Sequence, residues 1–347
     1  MHSLVHWLRT ATLLVALTFA GTAGLGAGLT PASTLAQDAA GTPAAAGEPL
    51  DITLLTTYNG LPFYTAMLCG ALDAANEMGG NIEITSEGPP HGMNVSEQLP
   101  ILNAAINARP DGIILVPADP RALVAVVEGA MADGLPIVTT DQALEQEVAI
   151  AHFGADNKAG GKLAAEELLR LIGDASGSIL VLDNKPGLPV TNLRAEGFIE
   201  TITANPNLKL LETQYNTDDP NKAATQVQAA LQSTPDLIGV FATAEAGAMG
   251  AAAGLQGAPS ADQVRVIAYD AGPTLVRALR DGTLDALIAQ GSYGQGYDAL
   301  EALVTYIRTG EKPAEYTNLV PNVVVTPDNM NDPEVAKFLY PDRCPGQ

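Results

Sequence analysis

At 347 residues the chain is long enough for about two domains with separate cores. Its 47% hydrophobic and 16% charged residues are those of an ordinary globular protein, while 17 basic against 39 acidic side chains give a net charge of -22 and a pI near 4.3. That balance excludes a nucleic-acid backbone as partner, because counterion release needs a basic surface, and its simplest role is to keep a monomer soluble.

Residues 1–36 read as a secretory signal: Arg9, His2 and His6 near the start, an apolar stretch from Trp7 to Ala20, and Thr34-Leu35-Ala36 before a cleavage point. The apolar run is shorter than the roughly 20 residues a membrane span needs, so export to the periplasm or cell surface is expected. Gln37, not Cys, follows the cleavage point, which does not support lipidation. Residues 37–50, rich in Ala, Gly and Pro, read as a flexible linker.

From Asp51 onward short β-rich runs alternate with segments of helical period, the pattern of an α/β protein with parallel sheets covered by helices. Strands are predicted at Ile52 to Thr57, Ile82 to Ser86, Gly112 to Val116 and Ile137 to Thr139. A second set follows at Ser178 to Leu182, Leu208 to Gln214, Leu237 to Phe241, Val264 to Ala268 and Leu284 to Ala289, so two sheets are implied. Asn94 with Glu97 reads as a capping box, and Asp119-Pro120 and Asp219-Pro220 each place a capping carboxylate before a proline at the first helical position. Met67, Leu68, Ala71, Leu72 and Ala75 form a buried stripe, whereas Glu166, Glu167 and Arg170 mark the solvated side of a later helix.

Cys69 and Cys344 are free to pair in an oxidising compartment, which would staple the C-terminal tail to the first helix. The alternative is that Cys69 is a small buried residue; pairing is preferred because a lone exposed thiol at Cys344 would be a liability outside the cell.

Ligands of open α/β sheets sit beyond the carboxyl ends of the strands. Here those positions read Asn59 to Tyr64, Pro117-Ala118-Asp119, Asp141-Gln142, Ala244-Glu245, Asp270-Ala271-Gly272 and Gln290: carboxylates, amides and adjacent aromatics with little basic charge. His91 and His152, the histidines beyond the leader, lack metal-ligand spacing and read as surface or loop residues, so neither a metal nor a cofactor is expected. No Gly-x-Ser-x-Gly elbow or dinucleotide fingerprint is present, and Gly160-Gly161-Lys162 is a poor phosphate loop, since Asp156 stands where its first glycine belongs.

Tyr58 to Gly70, Arg109-Pro110-Asp111-Gly112, Gly134 to Val138 leading to Asp141, Gly154 to Asn157, Arg194 to Phe198, Ala268-Tyr269-Asp270 and Ile288-Ala289-Gln290 occur in the order found in ribose/galactose-type periplasmic binding proteins. The chain resembles that family from residue 50 to about 330. The resemblance implies a type I two-lobed fold with three crossings, near Ala155, Gly291 and Val320. The N-terminal lobe would be residues 51–155 plus 291–320, the C-terminal lobe 156–290 plus 321–330, and the tail 331–347.

It also implies ligand contacts at Phe63, Tyr64, Asp141, Asp270 and Gln290, with aromatic faces against a sugar ring and carboxylates accepting from its hydroxyls. The family's asparagines are replaced by Leu61, Val116 and Ala244 and its arginines by Gln142 and Asn192, so a ligand with fewer or differently placed hydroxyls than ribose is expected. Gln142, Asn192, Asp218 and Glu245 are the candidates to contact it, or else caps and rim residues.

The function the resemblance implies is capture of a sugar-like ligand for an ABC transporter permease, with no catalysis. A receptor for a sugar-derived autoinducer or polyol is the alternative. A secreted glycan-active enzyme with two rim carboxylates is a more distant one. A repressor sharing the same lobes is set aside, because an export signal stands where its DNA-binding headpiece would be.

Overall fold

Val, Ile, Leu and Ala runs buried on both faces make parallel strands, and this chain lays them down in two sets. A computed structural model describes residues 47–91 and 94–344, so the predicted leader and most of the predicted linker lie outside the described residues. The first set runs β1 (Leu50–Leu55), α1 (Pro62–Glu77), β2 (Ile82–Glu87), α2 (Val95–Ala108), β3 (Gly112–Leu115), α3 (Val124–Ala132), β4 (Ile137–Thr140) and β5 (His152–Ala155). The second begins α4 (Asn157–Ile172), β6 (Gly177–Asp183), α5 (Pro189–Thr203), β7 (Leu208–Leu210), β8 (Gln214–Tyr215) and α6 (Pro220–Ser233). It continues β9 (Leu237–Ala242), α7 (Glu245–Leu255), β10 (Arg265–Tyr269), α8 (Pro273–Arg280) and β11 (Ala286–Gln290). The chain closes with α9 (Ser292–Thr309), β12 (Thr317–Val320), β13 (Asn322–Val325) and α10 (Pro333–Ala336).

One sheet has the order β12-β5-β4-β3-β1-β2 and is wholly parallel. The other has the order β13-β11-β10-β9-β6-β7, with β8 also paired to β6, and only β13 runs antiparallel. The chain passes from one sheet to the other between Ala155 and Asn157, between Gln290 and Ser292, and between Val320 and Asn322. Because every strand but β13 runs parallel, each sheet presents the carboxyl ends of its parallel strands on one side, and those ends carry the polar loops.

Several local readings need correction. β5, β12 and β13 are short strands that carry polar residues such as His152, Asn318 and Asn322, which hid them; their pairing comes from neighbours distant in sequence. The run predicted as one strand from Leu208 to Gln214 is two, β7 and β8. Asp119 accepts from the amides of Arg121 and Ala122 at 2.9 and 2.8 Å, but it caps a turn, and α3 starts only at Val124. Asp219 does cap α6, with Pro220 opening the helix. Glu167 is buried, held by a two-pronged ion pair to Arg170 at 2.6 and 2.7 Å. His152 is no surface residue either: it sits in β5 at 5% exposure, and burial lowers its pKa to about 4.

The Gly160-Gly161 pair has a packing purpose. A side-chain carbon on Gly161 would collide with the Arg194 carbonyl of α5, and one on Gly197 of α5 with the Lys158 carbonyl of α4. The two helices therefore touch backbone to backbone, which fixes where Arg194 lies.

The disulfide Cys69–Cys344 ties the tail to α1 across 275 residues of sequence. On the other side, the Tyr340 amide donates to the Ala271 carbonyl at 3.1 Å, after β10. A crosslink closing so long a loop is worth about 2–4 kcal/mol. The double variant Cys69→Ser/Cys344→Ser should accordingly melt at least about 5 °C lower in scanning calorimetry. An unchanged melting temperature would show that the tail is held by packing alone.

Candidate ligand-binding site

The carboxyl ends of both sheets face a cavity of about 390 Å3, within the size range of small-molecule sites. One side is built by Thr57 and Tyr58 after β1, Leu61, Phe63 and Tyr64 at the start of α1, and Asp141 and Gln142 after β4. The other is built by Asp218 after β8, Glu245 at the first turn of α7, Asp270 after β10 and Gln290 at the end of β11. Thr191 and Arg194 reach it from α5, and Tyr340 from the tail. The structure thus brings together Phe63, Tyr64, Asp141, Gln142, Asp218, Glu245, Asp270 and Gln290.

Asn192 is the exception. Its amide donates to Asp183 Oδ2 at 2.7 Å and to the Lys185 carbonyl at 2.9 Å, and it does not line the cavity. The same buried Asp183 accepts from the Asn184 amide and, at 2.7 Å, from the Thr243 hydroxyl, so Asn192 belongs to a brace of the loop after β6.

Basic charge is sparse, as expected, but the one cation present was not among the rim positions. Arg194, 3% exposed, projects among the carboxylates. Its Nε donates to Asn157 Oδ1 at 2.8 Å, its Nη1 donates to the Thr243 carbonyl at 3.0 Å and stands 3.9 Å from Asp270 Oδ2, and its guanidinium lies 3.9 Å over the Tyr269 ring. Asp270 further accepts from Gln290 Nε2 at 2.6 Å and from the Tyr340 hydroxyl at 3.2 Å, both on Oδ1. Tyr340 in turn accepts from the Gln290 amide at 3.2 Å and meets Phe63 edge to face at 5.4 Å. Phe63 and Tyr64 are also edge to face, at 75°, so the predicted aromatic pair does not present two parallel faces. Tyr64 shares a 2.6 Å hydrogen bond with Thr57 and donates to Asp141 Oδ2 at 3.5 Å.

Burial raises the carboxylates' affinity for protons. It lifts Asp141 to about 6, with Arg194 opposing and Asp270 reinforcing. It lifts Glu245 to about 7, reinforced by the charges of Asp270 and Asp218. Asp218 rises for the same two reasons, burial and Asp270, with Lys185 opposing. The Tyr64 hydroxyl is pushed up by burial and by Asp141.

Asp141, Asp218 and Asp270 have φ of 62°, 63° and 78°, in the left-handed region. Asp tolerates it better than most residues, yet such backbone costs of order 1 kcal/mol or more and gathers where loops must aim a side chain. Beside these acids, the buried Gln142 amide has no hydrogen-bond partner at either atom, and neither Gln290 Oε1 nor Thr191 Oγ1 has one among the described residues. Each such group costs about 1–3 kcal/mol until something hydrogen-bonds to it. Among the described residues no group of three or more His, Cys, Asp or Glu is placed to hold a metal ion.

Arg194 and Tyr340 escaped sequence reasoning. The signal for the first was in Arg194 to Phe198, where an arginine opens a segment with small residues at the helix contact. Tyr340 lies far along the chain from any strand end, and only the pairing of Cys344 with Cys69, six residues after Phe63, brings it within reach.

Parallel sheets whose loops meet at a polar cavity, linked by three crossings, define a two-lobed solute-binding architecture. Residues 52–312 match the family model of the periplasmic binding protein domain, and the chain belongs to that family. It is 27% identical to the D-apiose import binding protein of Actinobacillus succinogenes over 83% of this chain and 91% of that one. With the ribose import binding protein of Salmonella typhimurium it shares 28% identity over 68% of this chain and 77% of that one. Its fold matches an Agrobacterium vitis ABC transporter solute-binding protein bound with alpha-D-tagatopyranose at a TM-score of 0.76 and 32% identity, covering 84% of this chain and 99% of that one. A second Agrobacterium vitis solute-binding protein, with bound D-fucose, matches at 0.74 and 30%, covering 84% and 100%.

Two outcomes follow from the electrostatics. A carboxyl group raised in the folded state supports folding fully below its ordinary value, and that support is lost as pH rises through the raised value. For Glu245 the window is about 4.5 to 7. Glu245→Gln should therefore raise the melting temperature of the unliganded protein by a few degrees at pH 8 and have a much smaller effect at pH 5. Equal shifts at the two pH values would contradict the assignment. Tyr340→Phe removes one of the donors that orient Asp270, and ligand affinity by calorimetry should fall severalfold; unaltered affinity would remove Tyr340 from the site.

Proposed function

We propose that the protein is an exported binding protein that captures a small sugar-like ligand between two lobes and delivers it to an ABC transporter permease. The observation that carries this is the meeting of Asp141 from one sheet with Asp270 and Gln290 from the other around one cavity. A ligand that hydrogen-bonds to both sides stabilises the closed arrangement by its differential affinity for it, and a permease can recognise that state. Carboxylates accept charge-assisted bonds from hydroxyls, and the unpartnered Gln142 and Thr191 supply further polar contacts.

The relatives support the same reading, since they are named as D-apiose and ribose import binding proteins and the two Agrobacterium vitis structures hold a monosaccharide. Sheet membership supports lobes of residues 51–155 with 291–320 and 156–290 with 321–330. We take the working form to be a monomer in the periplasm or at the cell surface, acting without catalysis.

The test is a thermal-shift screen of the purified protein against monosaccharides and polyols, followed by calorimetry on the best binder. One saturable monosaccharide is expected, because a ligand that binds only the native state raises its melting temperature. Asp141→Ala and Asp270→Ala should each weaken it by at least about tenfold, the loss of a charge-assisted bond worth roughly 1.5–3 kcal/mol. A panel without a hit, or full affinity in both variants, would overturn the reading.

A further inference from the structure

We propose that the ligand carries a protonated amine, as an amino sugar or amino polyol does, and that Glu245 and Asp218 receive it. The inference rests on the binding-protein reading above and specifies its ligand.

Four carboxylates line the cavity, from Asp141, Asp218, Glu245 and Asp270, against a single cationic side chain, Arg194. That cation faces the other two acids. Its Nε and Nη1 are engaged by Asn157 and Thr243, and its charge acts on Asp270 at 3.9 Å and on Asp141. Asp270 also has donors of its own in Gln290 and Tyr340, and Asp141 has Tyr64.

Glu245 and Asp218 stand apart from this arrangement. Among the described residues neither carboxylate accepts a hydrogen bond, and the charges acting on Glu245 are the negative ones of Asp270 and Asp218. The one positive charge acting on Asp218 is that of Lys185, an exposed side chain that does not line the cavity. Two acids facing one cavity with no cation between them repel each other, and a ligand ammonium, with charge and several N–H donors, relieves that repulsion and satisfies both. A hydroxyl donates one hydrogen and leaves the repulsion in place.

An independent observation marks the same cavity as built for a polar ligand: Gln142, 4% exposed, lines it, and neither of its amide atoms has a hydrogen-bond partner among the described residues. Leu61, Leu188, Val190 and Met249 line it as well and suit the CH surface of a ring. The alternative cation, a metal ion, finds no suitable set of three acidic, His or Cys ligands among the described residues.

The experiment is calorimetry at pH 7.5 with D-glucosamine, D-galactosamine and D-mannosamine, each beside its N-acetyl derivative and its neutral parent sugar. One amine should bind at least tenfold more tightly than its parent, and N-acetylation, which removes the charge, should abolish that advantage. Glu245→Gln and Asp218→Asn should each reduce the ratio of amine to neutral affinity severalfold. A neutral parent that binds as tightly as its amine overturns this inference and leaves the sugar-binding reading standing, as does an advantage untouched in both variants. No binding by any of the nine compounds overturns the amine assignment, and a further failure of the wider monosaccharide panel overturns the sugar-binding reading itself.

Discussion

A buried guanidinium is the constraint around which this cavity is arranged. Arg194 keeps its charge in the interior, where an uncompensated cation costs several kcal/mol, so every group around it must answer that charge. Asp270 does so with a carboxylate, Thr243 and Asn157 with oxygens, and Tyr269 with a ring face. Two of these partners lead to the crossings. Asn157 opens α4 immediately after the first crossing, and the Tyr269 hydroxyl donates at 2.8 Å to Asn322, just past the third, whose amide donates to the Asp156 carbonyl at 2.8 Å. One side chain therefore touches the cavity and, through a single intermediate on each side, the strands that join the two sheets. A shift in the charge around Asp270 has a short path of packed and hydrogen-bonded groups to the segments that must bend if the lobes move.

The glycines of α4 and α5 serve the same end. Arg194 sits on the helix face that meets α4, at the backbone contact made possible by Gly161 and Gly197, and its side chain runs over Tyr269 to the cavity. Sequence reasoning weighed Gly160-Gly161-Lys162 as a fragment of a phosphate loop because glycine pairs before a lysine have that use. In this fold the glycines serve close approach, and Lys162 is an exposed surface residue.

How much could be read in advance follows from which interactions are local. The parallel α/β class, the main strands and the rim positions were legible, because period, capping residues and the rule that ligands sit beyond strand ends are properties of short segments. Asp141, Glu245 and Asp270 follow strands and were placed at the rim that way, and all three line the cavity; Asp218 entered only as a candidate beside the family's contacts. The short strands β5, β12 and β13 were not legible, since four residues with polar members have no signal of their own and become strands only by pairing across crossings. Asn192, left open as a ligand contact or a cap or rim residue, stands in a loop brace, because one position on a helix changes the face by about 100°.

The tail shows the limit most sharply, because its contribution depends on tertiary structure entirely. Residues after β13 have little to pack against locally, yet they deliver Tyr340 into the centre of the site, at 4% exposure, between Phe63 on one side and Asp270 with Gln290 on the other. Such a segment is anchored twice: covalently to α1 through Cys344, and by the backbone bond from Tyr340 to Ala271. Since α1 packs with the first sheet and Ala271 follows a strand of the second, the tail is a fourth connection between the two halves, and it too reaches the cavity, through Tyr340. A tether there restricts how far the halves can separate, which lowers the entropy that closure around a ligand must overcome. The same tether sets the Tyr340 hydroxyl 3.2 Å from Asp270 Oδ1, so this contact within the site is positioned by the covalent and backbone anchors of the tail.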